Sequence, residues 1–174
     1  MPDLAIEADC PAWGGAGSWE PLLRRAVDGT LAELGIERSG PGRAEVSVLL
    51  TGDAAIARLN AAWRGKNRPT NILSFAMLGP AEARAALEGR TGAALLGDLV
   101  LAHDTIAAEA EAAGIALADH VVHLFVHGML HLLGHDHEEE APAAAMEALE
   151  TAILARLSIA DPYRADAPGA GPGP

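Results

Sequence analysis

One segment constrains this chain more than any other: His127-Gly128-Met129-Leu130-His131-Leu132-Leu133-Gly134-His135-Asp136-His137. Two histidines four apart project from one face of a helix, because the helical repeat stacks i and i+4 one turn apart. Gly134 can take positive φ and end that helix, so the chain folds back and carries His137 toward the same point. Whatever the fold, it must supply a helix that stops at Gly134 and leaves space in front of three imidazoles. Structural zinc usually closes its tetrahedron with four protein ligands, whereas catalytic zinc keeps three and leaves the fourth position for water or substrate. A count of three favours chemistry. The plainer readings are a loose histidine-rich metal trap or hydrogen-bonded core histidines; the agreement of helix, glycine break and third histidine favours the ordered site. His120 and His123 share the face of His127 further upstream and are expected to pack or to orient a ligand. His135, on the turn, is the alternative fourth ligand, which would make the site structural.

A cationic partner for an anionic substrate has to come from elsewhere. No Lys or Arg occurs from residue 91 to 155, and the chain carries 12 basic against 24 acidic residues, a net charge of -12. That balance argues against broad nucleic-acid affinity and gives no reason to expect a DNA partner. Between Asp53 and Glu82, however, no acidic residue occurs, and Arg58, Arg64, Lys66 and Arg68 all fall there. The charge pattern alone reads this as a solvated surface loop. No apolar run is long enough to cross a bilayer and no basic leader is present, so no membrane partner is expected and the protein is expected in the cytoplasm. The single cysteine, Cys10, rules out an internal disulfide.

At 174 residues, with a mean hydropathy of +0.17, the length suits one domain with a real core. Residues 4–8 alternate and predict a first strand, and Gly14, Gly15 and Gly17 a turn. A helix over residues 19–34, capped by Ser18, follows, then a strand at 46–50. Thr51 or Asp53 is expected to cap a helix that runs to Trp63, with a polar loop over 64–70 and a third strand at 71–77. Residues 78–92 read as an excursion holding at most a short helix. A buried strand at 95–101 and helices at 104–114, 117–133 and 142–157 complete the pattern. This order is α+β: a single domain over residues 1–160 with a mixed, roughly four-stranded sheet packed by helices and the metal site at the end of a core helix. Residues 161–174, rich in Pro, Gly and Ala, read as a disordered tail.

Two blocks make the chain resemble the YbeY family, bacterial endoribonucleases and ribosomal-RNA maturation factors. The first is Leu59-Asn60-Ala61-Ala62-Trp63-Arg64-Gly65-Lys66-Asn67-Arg68-Pro69-Thr70-Asn71-Ile72-Leu73-Ser74-Phe75. The second is the metal segment with His123-Leu124-Phe125-Val126 before it. The stretches Leu96-Gly97-Asp98-Leu99-Val100 and Met146-Glu147-Ala148-Leu149-Glu150 are similar too, so the resemblance spans roughly residues 4–157. It implies a zincin-like fold, Zn2+ held by His127, His131 and His137, and Arg64 as the arginine that acts in catalysis. The implied activity is single-strand-directed endoribonuclease cleavage in maturation of the 3′ end of small-subunit ribosomal RNA and in ribosome quality control. Implied partners are ribosomal RNA, the small subunit, ribosomal proteins and an assembly GTPase. Two positions depart from the family: His135 stands where tyrosine is usual, and Ala76 where proline is common.

Zinc lowers the pKa of bound water to about 7. In the metallopeptidase motif H-E-x-x-H the residue after the first histidine is the glutamate base, and here it is Gly128. Phosphodiester cleavage instead gathers charge on phosphate oxygens, which a metal and a bidentate guanidinium both stabilise. The expectation is therefore that Arg64 clamps a non-bridging oxygen at the metal, that Lys66 and Arg68 hold the neighbouring RNA backbone, and that His123 and Asp136 orient the ligands. The alternatives are a non-catalytic ribosome assembly factor with a fully ligated structural metal, and a metal-dependent hydrolase of another substrate. A metal-bound water facing a cleft beside Arg64 would favour the enzyme over the assembly factor, and an open groove edged by Arg64, Lys66 and Arg68, rather than a narrow uncharged pocket, would favour RNA as the substrate.

Overall fold

A computed structural model describes residues 1–135 and 140–164. Its centre is a mixed four-stranded sheet of β1 (Asp3–Ala8), β2 (Ala44–Thr51), β3 (Ile72–Ala76) and β4 (Ala94–Ala102), in spatial order β1-β2-β4-β3. β1, β2 and β4 run parallel, and β3 closes one edge antiparallel to β4. Parallel neighbours need helical crossovers, which is why a helix follows nearly every strand. Helices α1 (Glu20–Glu33), α2 (Asp53–Arg64), α3 (Pro80–Leu87), α4 (His103–Ala113), α5 (Leu117–Leu132) and α6 (Glu140–Arg156) complete the chain, with two single 3-10 turns at Pro11–Trp13 and Ala16–Ser18.

Strand alternation divides the sheet into two unequal faces. Val46, Val48 and Leu50 of β2 and Leu99 and Leu101 of β4 point into the main core, where they meet Leu23 and Val27 of α1, Phe125 and Met129 of α5, and Met146 and Ile153 of α6. On the opposite face α2 covers part of the sheet: Ile56 and Leu59 sit on Leu49, Leu73, Phe75, Val100 and Ala102. The rest of that face, from Ala5 and Glu7 across Ser47 and Asp98 to Met77, floors an open groove of about 1030 Å³.

α5 is the core helix, with nine of its 16 residues buried. Gly128 packs closely against the sheet, where a Cβ would lie 2.8 Å from both Ile72 Cδ1 and Leu99 Cδ2. The position that would carry a metallopeptidase glutamate thus faces packed side chains and has no room for one. At the helix end Gly134 adopts φ +88°, its N–H donates to His131 O, and the His135 N–H donates to Leu130 O. These bonds make the glycine break expected from the sequence.

Two local expectations change. Ser18 does not cap α1; it belongs to the preceding 3-10 turn and its Oγ donates to Gly14 O at 3.4 Å, while Trp19 occupies the cap position. Neither Thr51 nor Asp53 caps α2, because Gly52 takes that place. Asp53 instead accepts from the N–H and Oγ1 of Thr105 at 3.1 and 2.9 Å, a carboxylate at the start of α4 that favours its amino-terminal dipole. The excursion over residues 78–92 holds α3, whose Ala83, Ala86 and Leu87 enter the main core. Among the described residues no single helix is long and apolar enough to cross a membrane.

Candidate functional site

From His120 to the end of α5, His120, His123, His127 and His131 are the positions that are not fully buried, and each faces a polar partner. The Nε2 atoms of His127 and His131 lie 3.0 Å apart, with the rings near perpendicular at 78°. Two nitrogens of a tetrahedral zinc site with bonds of 2.0–2.1 Å are separated by ~3.3 Å, so the pair fits two ligands of one ion. Asp136 and His137 lie outside the described residues; among the described residues no third donor completes a metal-binding group.

The orientation of His127 comes from α6. Glu150, 0% exposed, accepts from His127 Nδ1 through Oε1, and through Oε2 from His123 Nε2 at 3.1 Å and from the Tyr163 hydroxyl. Burial alone would push the Glu150 carboxyl up, but the hydrogen bonds from His123, His127 and Tyr163, with the charge of His127, outweigh it and bring it down to about 2. An ionised carboxylate only accepts, so Nδ1 of His127 carries a proton toward Glu150, which leaves Nε2 as the ring nitrogen beside His131 that could hold a metal. Burial, followed by the hydrogen bond to Glu150 and its charge, pushes the Tyr163 hydroxyl well above an ordinary phenol, so it remains a donor. His123 spends Nε2 on Glu150, and its Nδ1 is buried with no partner among the described residues. Burial lowers the pKa of His135, which keeps it neutral, but His135 is not among the residues lining the cleft in front of His127 and His131.

Arg64 is brought to the same cleft from the other side of the chain. It is the last residue of α2, and Gly65 at φ +67° ends the helix with its N–H on Ala61 O. Asn60, 3% exposed, donates from Nδ2 to Arg68 O at 2.9 Å and holds the following loop against the helix. Asn71 pins the far end: its Oδ1 accepts from the Ile72 N–H at 2.7 Å and its Nδ2 donates to Glu109, which also meets His120 Nε2 at 2.7 Å. Arg64, Thr70, Asn71 and Ser74 then face His123, His127, His131 and Tyr163 across a cleft of about 320 Å³. A second recess of about 310 Å³ shares Arg64, Thr70 and Asn71 and adds Lys66 and Arg68. The arginines that form ion pairs among the described residues are Arg24, Arg43, Arg84, Arg90 and Arg156; Arg64 and Arg68 are not committed in this way.

A cleft with two converging imidazoles on one wall and an uncommitted guanidinium on the other suits a substrate with oxyanions. Comparison with known proteins points the same way. The family model described as Endoribonuclease YbeY matches residues 16–158. The chain belongs to the YbeY family. It is 48% identical over 164 residues to the Endoribonuclease YbeY of Paramagnetospirillum magneticum, covering 92% of this chain and 95% of that one. With the protein of the same name from Dinoroseobacter shibae it is 50% identical over 170 residues, covering 92% and 90%. The solution structure of TM1509 from Thermotoga maritima superposes with a TM-score of 0.53 at 20% identity, over 97% of this chain and 99% of that one, which shows a shared fold.

Sequence reasoning assigns no role to two members of the site. Tyr163 lies beyond residue 160, where the composition puts the end of the domain, yet it packs against His123 with ring centroids 5.7 Å apart and donates to Glu150. The rest of that tail, residues 165–174, lies outside the described residues. Glu150 did leave a signal, since it sits one turn from Met146, Ile153 and Leu154, a carboxylate on the buried side of a helix.

Proposed function

We propose that this protein is a metal-dependent endoribonuclease of zincin-like fold that cuts single-stranded RNA in maturation of small-subunit ribosomal RNA, with His127, His131 and His137 as ligands of one Zn2+. One observation carries the reading: Arg64, 63 residues before His127, lines the same cleft as His127 and His131. An ion bound there would supply a Lewis acid that neutralises phosphate charge and makes water a nucleophile near neutral pH. Everything else is done by the chain. Glu150 keeps the proton of His127 on Nδ1 and fixes the ring, and Tyr163 and His123 hold Glu150 in turn. Arg64 presents a planar pair of donors to the non-bridging oxygens, where negative charge grows during cleavage.

Lys66 and Arg68, in the adjoining recess, take the next phosphates of the strand. His123 and Asp136 serve as orienting groups. With a net charge of -12, the protein neutralises few phosphates and binds free RNA weakly. The small ribosomal subunit, its proteins and an assembly GTPase would then bring the RNA end to the cleft, as the family implies. The test compares the wild type with Arg64→Ala and His131→Ala on structured RNA, mapping cuts and measuring bound metal. Loss of cleavage with metal retained in Arg64→Ala, and loss of both in His131→Ala, supports the scheme. Cleavage that persists without His131 removes the site from the reaction.

A further inference from the structure

The open face of the sheet runs into the cleft around its edge strand. Ser74 and Phe75 are consecutive residues of β3; Ser74 lines the cleft with the histidines, and Ser74 and Phe75 both line the groove over the open face. Likewise Trp63 and Arg64 are consecutive in the last turn of α2, with Trp63 on the groove and Arg64 in the cleft. Trp63 is 71% exposed, in a chain with only 3% aromatics. Half-buried Phe75 braces it, with ring centroids 6.0 Å apart at 60°.

We propose that Trp63 and Phe75 form a stacking platform for an unpaired nucleobase of the substrate, beside the phosphate held at Arg64. A lone exposed tryptophan is ordinary surface. Here the indole sits at the junction of two connected depressions, one suited to phosphate and the other apolar, as the two halves of a nucleotide require. The charge pattern assigns each half. Asp98 stands opposite Phe75 in the ladder, and Glu7 lies further along the same floor, so the groove repels backbone phosphates. Arg64, Lys66 and Arg68 lie on the cleft side and attract them. A base lodged on Trp63 therefore turns its sugar-phosphate toward Arg64. Only an unstacked base can do this, which makes the platform a source of single-strand preference.

The proposal rests on the endoribonuclease reading, and its test separates the two. A single-stranded RNA that the full-length wild type cuts at a mapped bond is resynthesised with one abasic ribose at each nearby position, and kcat/KM is measured with wild type, Trp63→Ala and Trp63→Phe. One flanking abasic position should lower the wild-type value about 5- to 150-fold, the range for loss of one base–aromatic stack. Trp63→Ala should lose the same factor on intact RNA and lose nothing more on that abasic RNA, while Trp63→Phe keeps most of the activity. An unchanged thermal midpoint shows that Trp63→Ala is folded. If the wild type cuts no RNA, the nuclease reading itself fails. If it cuts, and Trp63→Ala and every abasic RNA behave like the parents, the platform is refuted and the nuclease stands. Normal cleavage of free RNA by Trp63→Ala, with loss of binding to purified small ribosomal subunits, would make the groove a protein-docking surface and likewise overturn the platform.

Discussion

Replacing Glu150 by Gln removes one charge and one acceptor oxygen from a place with no water to substitute for them. Three donors converge on the two carboxylate oxygens: His127 Nδ1 on Oε1, and His123 Nε2 and the Tyr163 hydroxyl on Oε2. An amide has one oxygen. Placed at Oε2, it leaves His127 facing an NH2 group, and His127 must move its proton to Nε2, which turns the inward lone pair into a donor. Placed at Oε1, it strands His123 and Tyr163 instead. The carboxyl sits at about 2 rather than its ordinary 4.5, which corresponds to roughly 3 kcal/mol favouring the ionised form in the folded state. Glu150→Gln should thus cost about 3 kcal/mol in urea unfolding of the metal-free protein, and metal affinity should fall about 10- to 100-fold, as when an orienting partner of a metal-bound histidine is removed. Chelator competition reads the affinity, and the position of the His127 proton is visible in 15N spectra. Tyr163→Phe, which removes one hydrogen bond and no charge, should show about 1–2 kcal/mol and a smaller affinity loss. Unchanged metal affinity in Glu150→Gln, with Nδ1 of His127 still protonated, would refute the orienting role of the carboxylate.

Acid should act on the same group. The folded pKa of Glu150 lies below its unfolded value, so its contribution is complete above about pH 4.5 and is lost as pH falls toward 2; the pH dependence of unfolding over that window should flatten in the metal-free Glu150→Gln variant. Asn60→Ala frees Arg68 O from its buried donor and should cost about 1–2 kcal/mol while lowering kcat/KM more than metal affinity, because it loosens the loop after Arg64 and leaves the histidines alone. Gly134→Ala combines a φ of +88° with a Cβ that would lie 2.3 Å from Pro80 Cγ, and should destabilise by about 3 kcal/mol in thermal or urea unfolding.

Local signals were the legible ones. The i, i+4 pair His127 and His131, the break at Gly134 and the long helix that carries them depend on residues near one another in the chain, and all three stand in the structure. So do the four strands, to within two residues at their ends. What failed depended on distance. Asp53 looks like the cap of its own helix but serves Thr105, 52 residues away, because two helix starts meet at the same end of the sheet. Arg64 has the charge pattern of a surface loop, and only its similarity to a family arginine singles it out; that it faces His127 follows from the turn at Gly65 and the anchoring of residues 65–71 by Asn60 and Asn71. Tyr163 hid in a stretch that composition marks as tail, although a lone tyrosine in a chain this poor in aromatics is itself a signal.

The central claim is that an ion held by three imidazoles keeps one accessible position facing Arg64. X-ray absorption at the metal edge of the zinc-loaded protein tests it most directly. The account predicts three imidazole nitrogens and one light oxygen ligand, all at about 2.0–2.2 Å, and a nitrogen count that falls in His131→Ala while staying at three in His135→Ala. Four imidazoles, with one lost in His135→Ala, would mean a closed structural site and contradict it.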